Sequence, residues 1–249
     1  MTQIISLSGK MQSGKTTLGL FTTGIVLAKL NICDHFNVTD TPELWVSDLF
    51  GQNSPQGGYM MDMFGNHSGD IAMFFNEEIF PHIKLYSFAD PLKEFLMNVF
   101  GLSWEGMYGT NEQKNALTNL LWESFPAEVH NGKTGQMTNR EVMQAFGTEI
   151  VRKIYGPAWA KAALRKIAKE APKVAVLVDC RFPDEADETH AYGGTVVRLT
   201  RNLLNNQHKS ETALDNYENF DYIIQNDNLS LVESCNFMLE ILQEIGVVD

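Results

Sequence analysis

Nine consecutive residues near the amino end, Gly9-Lys10-Met11-Gln12-Ser13-Gly14-Lys15-Thr16-Thr17, have the types and spacing of a loop that holds phosphate. The pattern is Gly-x-x-x-x-Gly-Lys-Thr, and each residue type answers a physical need. Gly9 and Gly14 reach backbone angles closed to other residues, so successive N–H groups can turn inward around an anion. A helix opening near Gly14 adds unpaired donors and the positive end of its dipole. Lys15 would reach the β- and γ-phosphates of a nucleotide, and the Thr16 hydroxyl would take one position on Mg²⁺. The apolar run Gln3-Ile4-Ile5-Ser6-Leu7-Ser8 before the loop and the periodic run after it supply the strand and helix that this motif demands.

A second chemistry-bearing stretch is Asp179-Cys180-Arg181, an acid and a base two residues apart at the end of the β-branched run Lys173 to Asp179. An uninterrupted run of this kind suits a strand buried on both faces of a parallel sheet. Further cations stand at Lys93, Arg140, Arg152 and Arg201. Lys93 follows Asp90-Pro91, a helix-start signal with Asp90 as the expected cap. Arg140 opens a helix whose Thr138 and Glu141 have capping-box spacing. A polar connection, Asn202 to Asp215, carries His208-Lys209-Ser210-Glu211.

The elements that must position these residues are legible in outline. Strands are expected near 3–8, 83–88, 173–179, 195–200 and 222–225. Helices are expected over 16–30, from 90, from 138, over 159–169 and over 229–245. Gly19 and Gly24 weaken the first helix on propensity grounds. Residues 31–82, rich in Gly, Asn, Met and Phe, read as an insertion with a hairpin or two and a short helix near 70–79. Residues 126–138 read as an exposed loop. Strands alternating with helices predict a parallel five-stranded sheet flanked by helices, in a single α/β domain spanning 1–249.

Composition narrows the function. The formal net charge of −12 argues against a general nucleic-acid surface, which needs a basic footprint. Three scattered cysteines suit free thiols in a reducing compartment. The chain begins in a strand, and no apolar run is long enough to span a bilayer, so the expectation is a cytoplasmic protein without a membrane partner. The Asn/Thr-Lys-x-Asp stretch of GTP-binding proteins has no counterpart.

With these pieces assembled, the chain resembles the phage deoxynucleoside monophosphate kinases, within the wider group of P-loop nucleotide and phosphomevalonate kinases. The resemblance rests on the phosphate loop, Tyr86-Ser87-Phe88-Ala89-Asp90-Pro91-Leu92-Lys93, Gly147-Thr148-Glu149 with Arg152, Asp179 through Ala186, Gly193 through Arg201, and His208-Lys209-Ser210-Glu211. The ending Asp221 to Asp227 resembles the segment that lies against adenine in related kinases.

The resemblance implies transfer of the γ-phosphoryl group of ATP to a deoxynucleoside 5′-monophosphate, with ATP and Mg²⁺ required and a host-cytoplasm location if the chain is phage-encoded. It implies ATP contacts at Gly9, Lys10, Ser13, Gly14, Lys15, Thr16, Thr17, Arg201 and Asn226. Lys15, Asp179 and Arg181 would be catalytic, and Thr16 and Asp179 would serve the metal. Lys93, Arg140, Glu149, Arg152 and Arg181 would hold the acceptor, with residues 138–170 forming the monophosphate side and 201–215 a lid. The partner is a small nucleotide; related kinases are often homodimers. A kinase for another phosphorylated acceptor and a non-catalytic nucleotide-binding protein are the alternatives.

Overall fold

The computed structural model describes residues 1–53, 58–65, 67–201 and 209–249. The chain begins with β1 (Gln3–Ser8), α1 (Lys15–Lys29), β2 (His35–Val38), β3 (Leu44–Ser47), β4 (Tyr59–Met61), α2 (Gly69–Phe74) and β5 (Ile83–Tyr86). It continues through α3 (Asp90–Phe100), α4 (Trp104–Tyr108), α5 (Asn111–Lys114), β6 (Leu117–Leu121), α6 (Ala127–His130), β7 (Gln136–Thr138), α7 (Asn139–Gln144) and α8 (Arg152–Ile154). It closes with α9 (Ala158–Glu170), β8 (Val174–Cys180), α10 (Pro183–Ala191), β9 (Thr195–Leu199), α11 (Lys209–Thr212), β10 (Tyr222–Ile224) and α12 (Leu231–Glu244). Two compact units result, one of Met1–Ser87 with Leu164–Asp249 and one of Phe88–Ala163.

The larger unit holds a five-stranded sheet in the order β10-β9-β1-β8-β5, every pair parallel. β1 therefore lies between β8 and β9, and Ser8 pairs with Cys180 on one side and Arg198 on the other. The three strands end level with each other where the chain leaves β1. This is the switch point at which open α/β sheets bind ligands. Helix α1 lies unusually close to β8. A Cβ on Gly19 would stand 2.7 Å from Val178 Cγ1, and one on Gly24 would enter the ring of Phe36. The two glycines that weaken α1 on propensity are the positions that let it approach its neighbours.

Between α1 and β5, strands β2, β3 and β4 form an antiparallel sheet whose Leu44, Val46 and Met61 are buried. Met63, Phe75 and Ile79 join the same core, which accounts for much of the apolar content of this region by packing. The core includes Ile5, Leu7, Leu27, Val176 and Val197 of the main sheet and α1.

The smaller unit packs around Leu92, Leu96, Met107, Trp122, Met137, Val142 and Ala145. Here the structure departs from the sequence expectation. Residues 126–138 are not all loop: they contain α6 and β7, and β7 pairs antiparallel with β6. Strands of three and five residues flanking Asn131, Gly132 and Gly135 leave too short a pattern to read locally. Thr138 does cap α7 through the capping box with Glu141. Asp90 sits one position inside α3, with Ala89 at the cap, and forms an ion pair with Lys93 at 3.6 Å. Among the described residues no helix is long and apolar enough to cross a membrane.

Candidate active site

The loop after β1 has the strained geometry that its glycines permit. Gly9 has φ 154°, Gln12 φ 62° and Gly14 φ 100°. A Cβ at Gly9 would collide with Ser13 Oγ and lie 2.9 Å from the carbonyl oxygen of Leu199. Lys15 is the first residue of α1 and only 6% exposed. Its ammonium donates to the carbonyls of Gly9 at 2.7 Å and Lys10 at 2.6 Å, and to Ser13 Oγ at 3.3 Å. Burial, and then the positive charge of Arg181, pull its pKa down to about 7; Asp179 works in the opposite direction. Thr16 is half-buried and Thr17 buried in the next positions of the helix.

The end of β8 brings Asp179 to the same sheet edge, because its neighbour Cys180 pairs with Ser8. The Asp179 carboxylate accepts a short hydrogen bond from Ser87 Oγ, at the end of β5. Arg181 follows on the turn into α10. Its main-chain N–H and that of Phe182 both donate to Glu185 Oε2, at 2.7 and 3.1 Å, and Glu185 is buried. The turn is therefore tied down by a carboxylate from the helix it opens. Cys180 is fully buried, and burial pushes its thiol well above the ordinary range, as suits an inert packing residue.

On the other flank, Asn226 is 2% exposed. Its side-chain amide donates to the carbonyl of Ser13 at 2.8 Å, and its Oδ1 accepts from the main-chain N–H of Arg201 at 2.9 Å. The Arg201 guanidinium donates to the carbonyls of Asn226 at 2.9 Å and Leu229 at 2.6 Å. It clasps the turn between β10 and α12. Lys10 forms an ion pair with Asp215 at 3.3 Å. Residues 202–208, His208 with them, lie outside the described residues.

Two contributors lie outside the catalytic and binding residues expected from sequence. Arg198 lies within β9, half-buried, and donates to Ser8 Oγ at 3.0 Å while its Nη2 stands 3.9 Å from Asp215. Desolvation lowers its pKa. An arginine inside an otherwise apolar strand was the available signal. Glu211 accepts from the main-chain N–H of Met11 at 2.6 Å and from Arg181. The sequence places it at the end of the His208-Lys209-Ser210-Glu211 stretch of the expected lid, with no role of its own.

In the smaller unit, Lys93 lies 4.1 Å over the ring of Tyr108. Arg140 donates to Asn111 Oδ1 at 2.9 Å and Asn115 Oδ1 at 3.0 Å, which sets it on α5 beside Lys114. Lys114, unremarked in the sequence, is partly buried; desolvation first, then the charges of Lys93 and Arg140, lower its pKa. These three cations share one electrostatic neighbourhood. Glu149 pairs with Lys153 at 2.9 Å, and Arg152 donates to the carbonyl of Gly156 at 3.4 Å. Among the described residues no cluster of three His, Cys, Asp or Glu side chains could cage a metal.

Over 155 residues the chain is 28% identical to a provisionally named deoxynucleotide monophosphate kinase of Acanthamoeba polyphaga mimivirus, covering 57% of this chain and 74% of that protein. The family model described as deoxynucleotide monophosphate kinase matches residues 102–234, a stretch that contains Arg140, Asp179, Arg181, Arg198, Glu211 and Asn226. On that match, the chain belongs to the deoxynucleotide monophosphate kinase family.

Proposed function

We propose that the protein transfers the γ-phosphoryl group of ATP to the 5′-phosphate of a deoxynucleoside monophosphate, yielding the diphosphate and ADP. The observation that carries this reading is the level ending of β1, β8 and β9, from which the phosphate loop, Asp179 and Arg181 emerge side by side. In this reading Gly9, Lys10, Ser13, Gly14, Lys15, Thr16 and Thr17 cradle the ATP phosphates, and Lys15 neutralises charge on the transferred group. Arg201 and Asn226 hold the turn beside the adenine. Arg181 faces the acceptor phosphate. Lys93, Arg140, Glu149 and Arg152 belong to the acceptor side.

The acceptor oxygen sits on a phosphate already largely ionised near pH 7, so a strong general base would add little. Rate enhancement then comes from in-line positioning and from cations that offset negative charge in the transition state. A hydroxyl and a carboxylate, Thr16 and Asp179, are hard oxygen donors that suit Mg²⁺. A magnesium ion bound largely through substrate phosphates and water needs no carboxylate cage. When bound, the ion would supply positive charge that offsets the negative charge of the phosphates.

The test is ADP release in a coupled assay with ATP and Mg²⁺ against a panel of deoxynucleoside monophosphates, ribonucleoside monophosphates and phosphomevalonate. Turnover dependent on at least one deoxynucleoside monophosphate supports the proposal. Turnover with phosphomevalonate alone, or ATP binding without turnover on any acceptor, overturns it.

A further inference from the structure

We infer that Glu211 is a positioning residue that orients Arg181 and couples it to the phosphate loop. The inference rests on the kinase reading above, which gives Arg181 its work. Glu211 belongs to α11, and its side chain is only 4% exposed. One carboxylate oxygen, Oε2, accepts from the main-chain N–H of Met11 at 2.6 Å; the other, Oε1, takes Nη1 of Arg181. Met11 is the third residue of the phosphate loop, and Arg181 follows β8. One buried carboxylate therefore bridges two loops that leave adjacent strands. Four residues on, Asp215 repeats the arrangement with Lys10 of the loop at 3.3 Å and Arg198 of β9 at 3.9 Å.

The physical consequence follows from the nature of the two side chains. A free arginine has many rotamers, so an unrestrained guanidinium would meet a phosphate only in a fraction of its conformers. A charge-assisted bond at Nη1 removes much of that freedom and leaves the remaining N–H donors of the fork for an anion. Because the same carboxylate holds Met11, displacement of the phosphate loop is transmitted to Arg181. Glu211 touches neither substrate; it acts through the arginine.

The experiment uses the full chain with ATP, Mg²⁺ and whichever monophosphate the wild type accepts best. Glutamine at 211 offers only one oxygen, so either Met11 N–H or Arg181 must face an amide NH₂. We expect Glu211→Gln to lower kcat by about tenfold to a hundredfold, with the KM for ATP changed by less than about threefold. Glu211→Gln should add little on an Arg181→Ala background, because the two side chains act as a unit. Losses that multiply in the double variant, an unchanged kcat, or a parallel loss of ATP affinity and turnover would each overturn the inference. If Glu211→Gln does not fold, Glu211→Asp decides: it keeps the charge and withdraws it by one methylene, so a reduced kcat supports the inference and a wild-type kcat overturns it. A wild type inactive on every monophosphate removes the kinase reading and this inference together. An active wild type with an indifferent Glu211→Gln removes only the inference.

Discussion

Asn226 reaches across 213 residues of sequence to donate its side-chain amide to the main-chain carbonyl of Ser13 at 2.8 Å. The same side chain accepts from the N–H of Arg201 at 2.9 Å, so one buried amide joins the phosphate loop, the end of β9 and the turn before α12. Asn226→Ala would strand the buried Ser13 carbonyl, at about 1–3 kcal/mol before relaxation, and the part-buried Arg201 N–H at less. The expected outcome is a melting temperature lowered by several degrees and a raised KM for ATP, read by thermal denaturation and steady-state kinetics. Asn226→Asp should be worse than Asn226→Ala, since it sets a carboxylate oxygen against the Ser13 carbonyl. Equal behaviour of the two would show that the amide orientation is immaterial.

Lys15 lies among three oxygen acceptors, yet burial and Arg181 hold its pKa down to about 7, against 10.5 for an ordinary lysine. A depressed lysine pKa opposes folding while the group is charged in both states, that is, below about pH 7, and the penalty is relieved as pH rises towards 10.5. Lys15→Met should therefore stabilise the nucleotide-free protein at pH 6–7, by an amount on the order of a few kcal/mol at most. The gain should shrink between pH 7 and 10. The same variant should lose turnover by at least about a hundredfold. Binding of ATP at pH 8 should also draw a proton onto Lys15, because phosphates restore the charged form. Calorimetry in two buffers of different ionisation enthalpy measures that uptake, and Lys15→Met should lack it.

Gly19 offers a contest between local and tertiary preference. Alanine is the better helix former by about 1 kcal/mol, so α1 in isolation would gain from Gly19→Ala. In the folded unit the added methyl would stand 2.7 Å from Val178 Cγ1 and 3.6 Å from Leu85 Cδ2. Overpacking of this kind costs about 1–3 kcal/mol, and the expected net effect is destabilisation in urea or thermal unfolding. Val178→Ala in the same chain should return part of the loss. A stabilised Gly19→Ala would mean that α1 can retreat from β8 without penalty.

The cation group of the smaller unit gives a prediction in acceptor kinetics. Desolvation first, and then the charges of Lys93 and Arg140, disfavour the charged form of Lys114. A dianionic phosphate placed there would reverse the sign of that interaction. Lys114→Gln should raise the KM for the monophosphate about tenfold at low salt while leaving the KM for ATP unchanged. The effect should diminish at high ionic strength. An acceptor KM that ignores both the substitution and the salt would remove Lys114 and its neighbours from acceptor binding.

Much of this arrangement was legible before any coordinates. The nine-residue loop stands out because its glycines, lysine and threonine fall at the set positions that a phosphate cradle would demand, and those constraints are local. Strand β8 reads from its β-branched run, and α7 from its capping box. Short β6 and β7 did not read, because three to five residues hold too few alternations to define a period. The glycines of α1 read as a weakness because a propensity scale carries no information about the strand behind the helix.

What the amino-acid order determined alone was the set of chemical parts: a glycine-rich loop ending in Lys15 and Thr16, an acid and a base after a buried strand, and cations on helices. Only the tertiary structure decided their neighbours. Alternation along a strand specifies which face is buried and leaves open which strand lies alongside, so the place of β1 between β8 and β9 had to come from long-range pairing. That pairing brings Asp179 and Arg198 to the phosphate loop. In the same way the sequence sets Glu211 in a polar connection and gives it no partner. It becomes a bridge between Met11 and Arg181 because the folded chain desolvates its carboxylate beside two donors that no local rule could have supplied.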